Sequence, residues 1–410
     1  MRISSSQYFN MNVQTMSDQQ SSLASMYQQI SSGKRILTAS DDPLGASQAV
    51  QLSMKSSAFT QYATNQTSAQ SSLQLEDSTL TSVSSVLQSI KTQAVRIGDG
   101  SLNDSDRTSL ANQLQGYRDQ LMGLANTTDA DGNYIFAGYK SSVVPFSNNA
   151  SGVGATYGGD LGQRQVQLSE NRTVSVNDAG SSIFQSVSAA QADAVSAASL
   201  SNTGSGTISP VSVSDPTNAG NSSNYTIKFA VASDGSKSYT VTPTADGSPP
   251  TPVAYTGKTD ITLGGQKVTI DGSPADGDTF TAGPAASSGT DIFATLDNLV
   301  NALKQPTDTA EQKAALVNAM TTATTKINNT FTNVLSTQAT VGGREQEVAA
   351  TQSSMANAST QASSDLENLT SIDLVSAISQ YELTQNALQG AQMAFSQIQK
   401  MSLFDYIGGG

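Results

Sequence analysis

Histidine, cysteine and tryptophan are all absent from the 410 residues. Without His, Ser-His-Asp and Cys-His catalysis are excluded. Without Cys, so are thiolate metal sites, CxxC redox chemistry and disulfides. Charge is scarce too: 13% of residues are charged, and 33 acidic residues outweigh 20 basic ones for a net −13. An acidic chain with no basic segment suits a phosphate backbone badly, so no nucleic acid is expected as a partner. No apolar run reaches the ~18 residues of a membrane-spanning helix, so no membrane insertion is expected. No apolar stretch follows Met1-Arg2-Ile3-Ser4, so a cleavable signal peptide is not expected either. What is abundant is Ser, Thr, Gln, Asn, Ala and Gly, a surface polar by hydroxyl and amide. Secreted bacterial structural proteins have this composition more often than cytosolic enzymes do.

Both ends of the chain carry helical patterning. Phe9, Val13, Met16, Leu23, Tyr27 and Ile30 recur in alternating steps of four and three, with Gln20 in the polar slot. That is a heptad stripe, and Ser31-Ser32-Gly33 ends it. Asp41-Asp42-Pro43 places a capping carboxylate before a proline at a helix start. The next stripe runs without a break from Leu52 through Lys55, Phe59, Tyr62, Gln66, Ala69, Leu73, Glu76, Leu80, Val83, Leu87, Ile90 and Ala94 to Ile97. A helix over 43–97 would be roughly 80 Å long at ~1.5 Å per residue. Asn103 or Asp104 opens a third helix with Leu110, Leu114, Tyr117, Leu121 and Leu124 on one face. Towards the C-terminus, Ile292, Leu296, Leu299 and Leu303 form a short amphipathic helix. Asp308 with Glu311 then reads as a capping box. The stripe it opens runs from Leu316 to Met355, with Gly342-Gly343 as a weak point. The last stripe is Leu374, Ala377, Tyr381, Thr384, Leu388, Ala391, Phe395 and Ile398.

The middle changes period to two. Asn133–Gly138, Gln165–Leu168 and Thr173–Val176 read as strands. Residues 186–224 are weakly patterned. A dense β region follows at Tyr225–Val231, Ser238–Val241, Val253–Thr256, Ile261–Leu263, Lys267–Ile270 and Thr279–Ala282, punctuated by Asp-Gly pairs. A striped helix must bury its stripe, and the nearest equals are those of the other flank. The expected fold is therefore mainly α with inserted β. Long antiparallel coiled-coil helices from both chain ends would form an elongated rod, with a central antiparallel β domain at its tip. The expected domains are 1–42 with 371–410 as a terminal assembly domain, 43–186 with 290–370 as a helical rod domain bearing hairpins, and 187–289 as an inserted β domain.

Candidate chemical motifs fall away one by one. Gly33-Lys34-Arg35 lacks the upstream glycine and following Ser/Thr of a phosphate loop, so it reads as a helix stop. Gly152-Val153-Gly154 would need a glycine where Tyr157 stands. Asp129-Ala130-Asp131-Gly132-Asn133 lacks both the sixth-position glycine and the twelfth-position glutamate of a calcium loop, and reads as a turn. Asp41-Asp42 reads as capping rather than an acid pair for glycoside chemistry. No catalytic residue, cofactor or metal is expected. For 43–125 and 308–360, burial within the chain and burial between subunits both stay open. For the terminal stripes a two-helix unit is marginal alone. Phe9, Val13, Met16, Leu23, Tyr27, Ile30, Leu374, Tyr381, Leu388, Phe395 and Ile398 are therefore the expected subunit-assembly surface.

Ile30-Ser31-Ser32-Gly33-Lys34-Arg35-Ile36 followed by Asp41-Asp42-Pro43 resembles the N-terminal block of the bacterial flagellin superfamily. Met1-Arg2-Ile3-Ser4, Asn133-Tyr134-Ile135-Phe136-Ala137-Gly138 and Ser402-Leu403-Phe404-Asp405-Tyr406-Ile407 resemble its junction members more than its filament subunits. Ile261-Thr262-Leu263-Gly264-Gly265 and Pro274-Ala275-Asp276-Gly277-Asp278-Thr279-Phe280 are similar to an outer-domain segment of such axial proteins. The resemblance implies a structural protein of the flagellum. It implies export unfolded through the flagellar type III apparatus and a ring of identical subunits outside the cell, between hook and filament. The neighbours it implies are the first hook-associated protein and flagellin, with a cytosolic export chaperone for the C-terminal segment. The alternatives are a flagellin-type filament subunit and an extracellular enzyme or adhesin on a coiled-coil stalk.

Overall fold

A computed structural model of the chain describes residues 5–97, 102–187, 192–243 and 249–407, with the backbone alone at 5, 6, 8 and 398–407. The fold is mainly α with an inserted antiparallel β region, and long helices occupy both flanks. The chain divides into two compact units, Met1–Thr64 with Gln352–Gly410, and Asn65–Thr351.

In the second unit the stripe of α2 (Pro43–Ile97) is fully buried from Gln66 onward. Its apolar members share one core with Leu110, Leu114 and Leu121 of α3 (Asp104–Ala125). Leu296, Leu299 and Val300 of α5 (Ile292–Leu303) join that core, as do Ile327, Val334, Val341 and Val348 of α6 (Ala310–Thr370). α6 runs unbroken through Gly342-Gly343, where the sequence suggested weakness; a Cβ at either glycine would meet nothing within 4 Å. Its capping box lies one residue later than expected. Gln312 N donates to Thr309 Oγ1 at 3.3 Å and Gln312 Oε1 accepts from Thr309 N at 3.1 Å, so Thr309 and Gln312 replace Asp308 and Glu311. Asn103 caps α3 by accepting from Asp106 N.

The two polar members of the buried part of the α2 stripe hold a hairpin in place. β3 (Gln165–Ser169) pairs with β4 (Arg172–Ser175). Gln66 Nε2 donates to Leu168 O at 2.7 Å, and Glu76 Oε1 accepts from Asp178 N at 3.0 Å just beyond β4. Asp178 is itself clamped by Arg344 of α6 through two bonds, at 2.9 and 3.1 Å. Burial pushes the Glu76 carboxyl up to about 8, and the Asp178 charge adds to the rise. A carboxyl raised in this way favours the folded state fully below its unfolded value near 4.5. That contribution is lost as pH climbs through about 8. Glu76→Gln should match the native protein near pH 5 and exceed it progressively up to pH 9, by on the order of 1 kcal/mol per pH unit in the window. Urea unfolding at a series of pH values checks this; parallel curves for the two proteins would refute it.

Asn133–Gly138 is not a strand. Tyr134 makes an isolated bridge to Thr128, and the segment turns, with Gly138 at a left-handed φ of 73° that brings it against Asp160. Its apolar residues are there to fill the core. Phe136 is wholly buried and meets Phe184 edge-on at 5.7 Å. Phe184, at the end of the short helix α4 (Gly180–Phe184), lies 5.5 Å from Phe146 and 6.0 Å from Phe293, and the guanidinium of Arg118 stands 5.7 Å over the Phe293 ring. Phe146 belongs to a hairpin that the sequence reading missed, β1 (Phe146–Asn148) with β2 (Ala155–Tyr157).

The inserted region has its own core, built around Tyr225, Ile227, Phe229, Ile261, Leu263, Val268, Ile270 and Phe280. Every expected strand from Tyr225 to Ala282 is present within a residue or two. The weakly patterned stretch before it holds three more, β5 (Val195–Ala198), β6 (Thr207–Ile208) and β7 (Ser212–Val213). They are short and mostly Ser, Thr, Ala and Val, so no alternation announces them. β5 closes one edge of a five-stranded antiparallel sheet, and β6 and β7 flank the second sheet.

A polar row on α6 carries this insert. Asn318 Nδ2 donates to Gly206 O while its Oδ1 accepts from Ile208 N. Thr322 donates to Ser196 O, Asn329 pairs with both main-chain groups of Asp193, and Asn333 donates to Ser182 O. These amides read backbone, not side chains. They lie beside the apolar stripe, which is why heptad counting passed over them.

Candidate assembly surface

The first unit is built on two helix breaks. α1 (Ser5–Ser32) stops at Gly33, whose φ of 69° suits glycine best, and α7 (Leu374–Ile407) follows a gap of three residues after α6. The motif residues between α1 and α2 hold these breaks together. Lys34 and Ser371 form an antiparallel bridge, in which Arg35 N donates to Thr370 O at 2.7 Å and Ile372 N to Gly33 O at 3.2 Å. Arg35 Nη2 also reaches Leu369 O at 3.0 Å. The adjacent acids divide the capping between them. Asp42 accepts from Gly45 N and caps α2. Asp41 instead accepts from Leu37 N and Thr38 N, and these bonds, that of Thr38 first, hold its carboxyl below the usual range. Gly45 has no room for a side chain, since a Cβ would sit 2.7 Å from Ile36 Cδ1.

α1 and α7 then pair along their length. On α7 the inward, half-buried face is Ala377, Tyr381, Thr384, Leu388, Ala391 and Phe395. Leu374, at the start of that row, is 48% exposed. The Ile398 side chain lies outside the described residues. On α1 the inward face is Asn12, Met16, Gln19, Leu23, Met26 and Ile30. The expected stripe thus divides in two. Met16, Leu23 and Ile30 face the partner helix, whereas Phe9, Val13 and Tyr27 lie towards the open side, Tyr27 at 64% exposure. Phe9 still reaches Phe395, ring centroids 5.1 Å apart. Asn12, Gln19 and Met26 were missed because hydrophobic counting prefers the aromatic row; a second heptad offset by one residue was the available signal.

Large apolar side chains outside the pair are exposed in number: Val375, Ile378, Leu383 and Met393 on α7, Met11 on α1, and Leu44, Val50 and Met54 on the start of α2. Leu383 and Met393 are 67% exposed and Val375 82%. So many exposed large apolar side chains on these terminal helices and the start of α2 exceed the scattered apolar residues of an ordinary surface. Elsewhere the motifs have structural explanations. Asp129 accepts from Asp131 N and Asn133 N as a turn. Among the described residues no cluster of acidic groups is placed to hold a metal ion, and no helix is long and apolar enough to cross a membrane.

Residues 3–141 match the family described as the bacterial flagellin N-terminal helical region. Over 407 residues the chain is 29% identical to flagellar hook-associated protein 3 of Salmonella typhimurium, covering 98% of this chain and 99% of that one. The crystal structure of flagellar hook-associated protein 3 from Legionella pneumophila superposes with a TM-score of 0.68 at 28% identity, over 78% of this chain and 98% of that one. Flagellin 1 of Proteus mirabilis is 29% identical over 125 residues, 30% of this chain. The likeness to hook-associated protein 3 thus runs nearly end to end, whereas the likeness to flagellin 1 is confined to under a third of the chain.

Proposed function

We propose that this chain is a structural axial subunit of the bacterial flagellum that seats between hook and filament and assembles through the open faces of α1 and α7. The observation that carries the reading is the row of exposed apolar residues on paired terminal helices, in a chain similar to hook-associated protein 3 from end to end. Identical subunits form a ring, with the first hook-associated protein on one side and flagellin on the other. Export proceeds without a cleavable signal, and a cytosolic chaperone covers the C-terminal stripe before export. The flagellin-type reading is the weaker one, since flagellin likeness covers under a third of the chain for Proteus mirabilis. Deleting the gene should leave cells that secrete flagellin into the medium as monomer, and returning the chain should restore attached filaments. Attached filaments in the deletion strain would refute the proposal.

The domain division follows the same reading, with 1–42 and 371–410 for assembly, 43–186 and 290–370 as the helical body, and 187–289 as a dispensable insert. The insert's ends meet. Thr290 Oγ1 donates to Gln185 O at 2.8 Å, and Gln185 Nε2 bonds Ala155 O. The helical core and the insert core share no residue, and the Asn318 and Asn329 amides are part of the α6 face uncovered by removal. Joining Gln185 directly to Thr290 should give a soluble protein whose helical circular dichroism melts within about 5 °C of the native chain, the range of a loss near 1–2 kcal/mol. An insoluble or unfolded product would refute the boundary.

A further inference from the structure

We propose that Arg35 is a positioning residue that selects the register in which α1 pairs with α7, and so sets which side chains the assembly face presents. The proposal rests on the assembly reading above for its consequence, but its geometry is independent of it.

The pairing stripes alone discriminate poorly between registers. Met16, Leu23 and Ile30 recur every seven residues, as do Tyr381, Leu388 and Phe395. Sliding one helix by a heptad sets apolar against apolar again, so a thin repetitive stripe tolerates the slip. Yet the observed register is consistent over the whole pair. The bridge joins residues 34 and 371, and the ring contact joins 9 and 395, so partner numbers sum to 405 at one end and 404 at the other.

What is unique along the pair is the joint at its base, and Arg35 is its centre. Leu369 and Thr370 are the last residues of α6, where carbonyls have no partner within the helix. Arg35 satisfies both, the first with its guanidinium and the second with its main-chain N–H. A guanidinium there also meets the negative end of the α6 dipole. On its other side Arg35 lies 3.6 Å from Asp42, the cap of α2. Its carbonyl accepts from Gln29 Nε2 of α1 at 2.9 Å. One residue therefore ties the ends of α1 and α6 to the start of α2. A heptad slip would break these contacts together. It would also displace Phe9, Val13 and Tyr27 by roughly 10 Å past Leu383 and Met393, given ~1.5 Å per residue, and the face would no longer match its copy. Lysine lacks the planar fork that serves carbonyl and carboxylate at once.

The chain has no native cysteine, so engineered pairs report register without background. Phe9→Cys with Phe395→Cys reads the native register; Phe9→Cys with Leu388→Cys reads a one-heptad slip. In dilute full-length monomer under mild oxidation, the first pair should close at least about fivefold faster than the second, the ratio expected for ~1 kcal/mol of selection. Adding Arg35→Ala should bring the ratio close to one, and Arg35→Lys should restore it in part. Ile372→Pro, which deletes the Ile372 N–H bond to Gly33 and leaves Arg35 in place, should lower the ratio as well. An unchanged ratio in Arg35→Ala would overturn the proposal. So would loss of closure in both pairs, because Arg35 would then hold the helices together without choosing between registers. The monomer readout separates this from the assembly reading: a lost ratio with incorporation intact would uphold the register role and refute the assembly face.

Discussion

Leu383→Asp is expected to give a protein that folds as the native chain does and does not enter the flagellum. Leu383 is 67% exposed and lies outside the inward row of α7, so the monomer has little to lose. Burial of its remaining surface between subunits would contribute about 1–2 kcal/mol. A carboxylate in its place forfeits that and adds an unpaired charge costing several kcal/mol more. A total near 4 kcal/mol is about a thousandfold in affinity at each interface, and a ring repeats it at every subunit. Leu388→Asp differs instructively. Leu388 is half-buried, and the α1–α7 register sets it level with Met16, so this change should lower helix content in the terminal pair as well as block incorporation. Neither should move the melting of the unit at 65–351. Gln389→Asp, exposed beside Leu388, should be nearly silent. Filament retention and medium flagellin measured across the three variants check the series; normal filaments in Leu383→Asp cells would mean that this face does not assemble.

The largest loss of fold stability should come from Arg118→Ala. Arg118 and Asp297 are both buried and joined by two bonds at 3.0 and 3.1 Å, between α3 and α5. Asp297 Oδ2 also accepts from Gly154 N at 2.8 Å, which ties the β1–β2 hairpin to the same pair. Removing the guanidinium leaves a buried carboxylate with that single backbone donor and uncovers the Phe293 ring. Breaking a buried pair from one side costs about 3–5 kcal/mol. For a unit of this size that should lower the melting temperature by roughly 10 °C. Arg172, whose partner Glu347 is at 2.7 Å but on the surface, is the control; Arg172→Ala should cost about 0–1 kcal/mol. Similar losses for both would show that burial is not what makes the Arg118 pair matter.

Helices with a long, unbroken period were legible in the sequence almost to the residue, because their stripes meet one continuous core. Leu73, Leu80 and Leu87 illustrate this, and so do the polar slots Gln66 and Glu76, which hold their places in the stripe because a hairpin backbone supplies partners. Strands with strong alternation, such as Tyr225–Val231, were equally legible. Asn133–Gly138 misled because Phe136 is apolar for core filling at a turn, and alternation over six residues does not separate the two uses. β5 to β7 carried too few large side chains to announce themselves. The α6 amides Asn318, Asn329 and Asn333 all recognise main chain that lies over 100 residues away, so no local pattern encodes them. On the terminal helices the spacing picked out part of the faces along which α1 and α7 pair. It could not say whether Tyr27 or Met26 turns inward, since both fit a heptad and only the partner helix decides.

The most direct test of the account is addition of the purified chain to isolated filament seeds, followed by electron microscopy and by quantifying bound subunits over time. A junction subunit should bind to saturation at a small fixed number per end and then stop, with further growth only when flagellin is supplied. Continued elongation by this chain alone would contradict the account, and would make it a filament subunit.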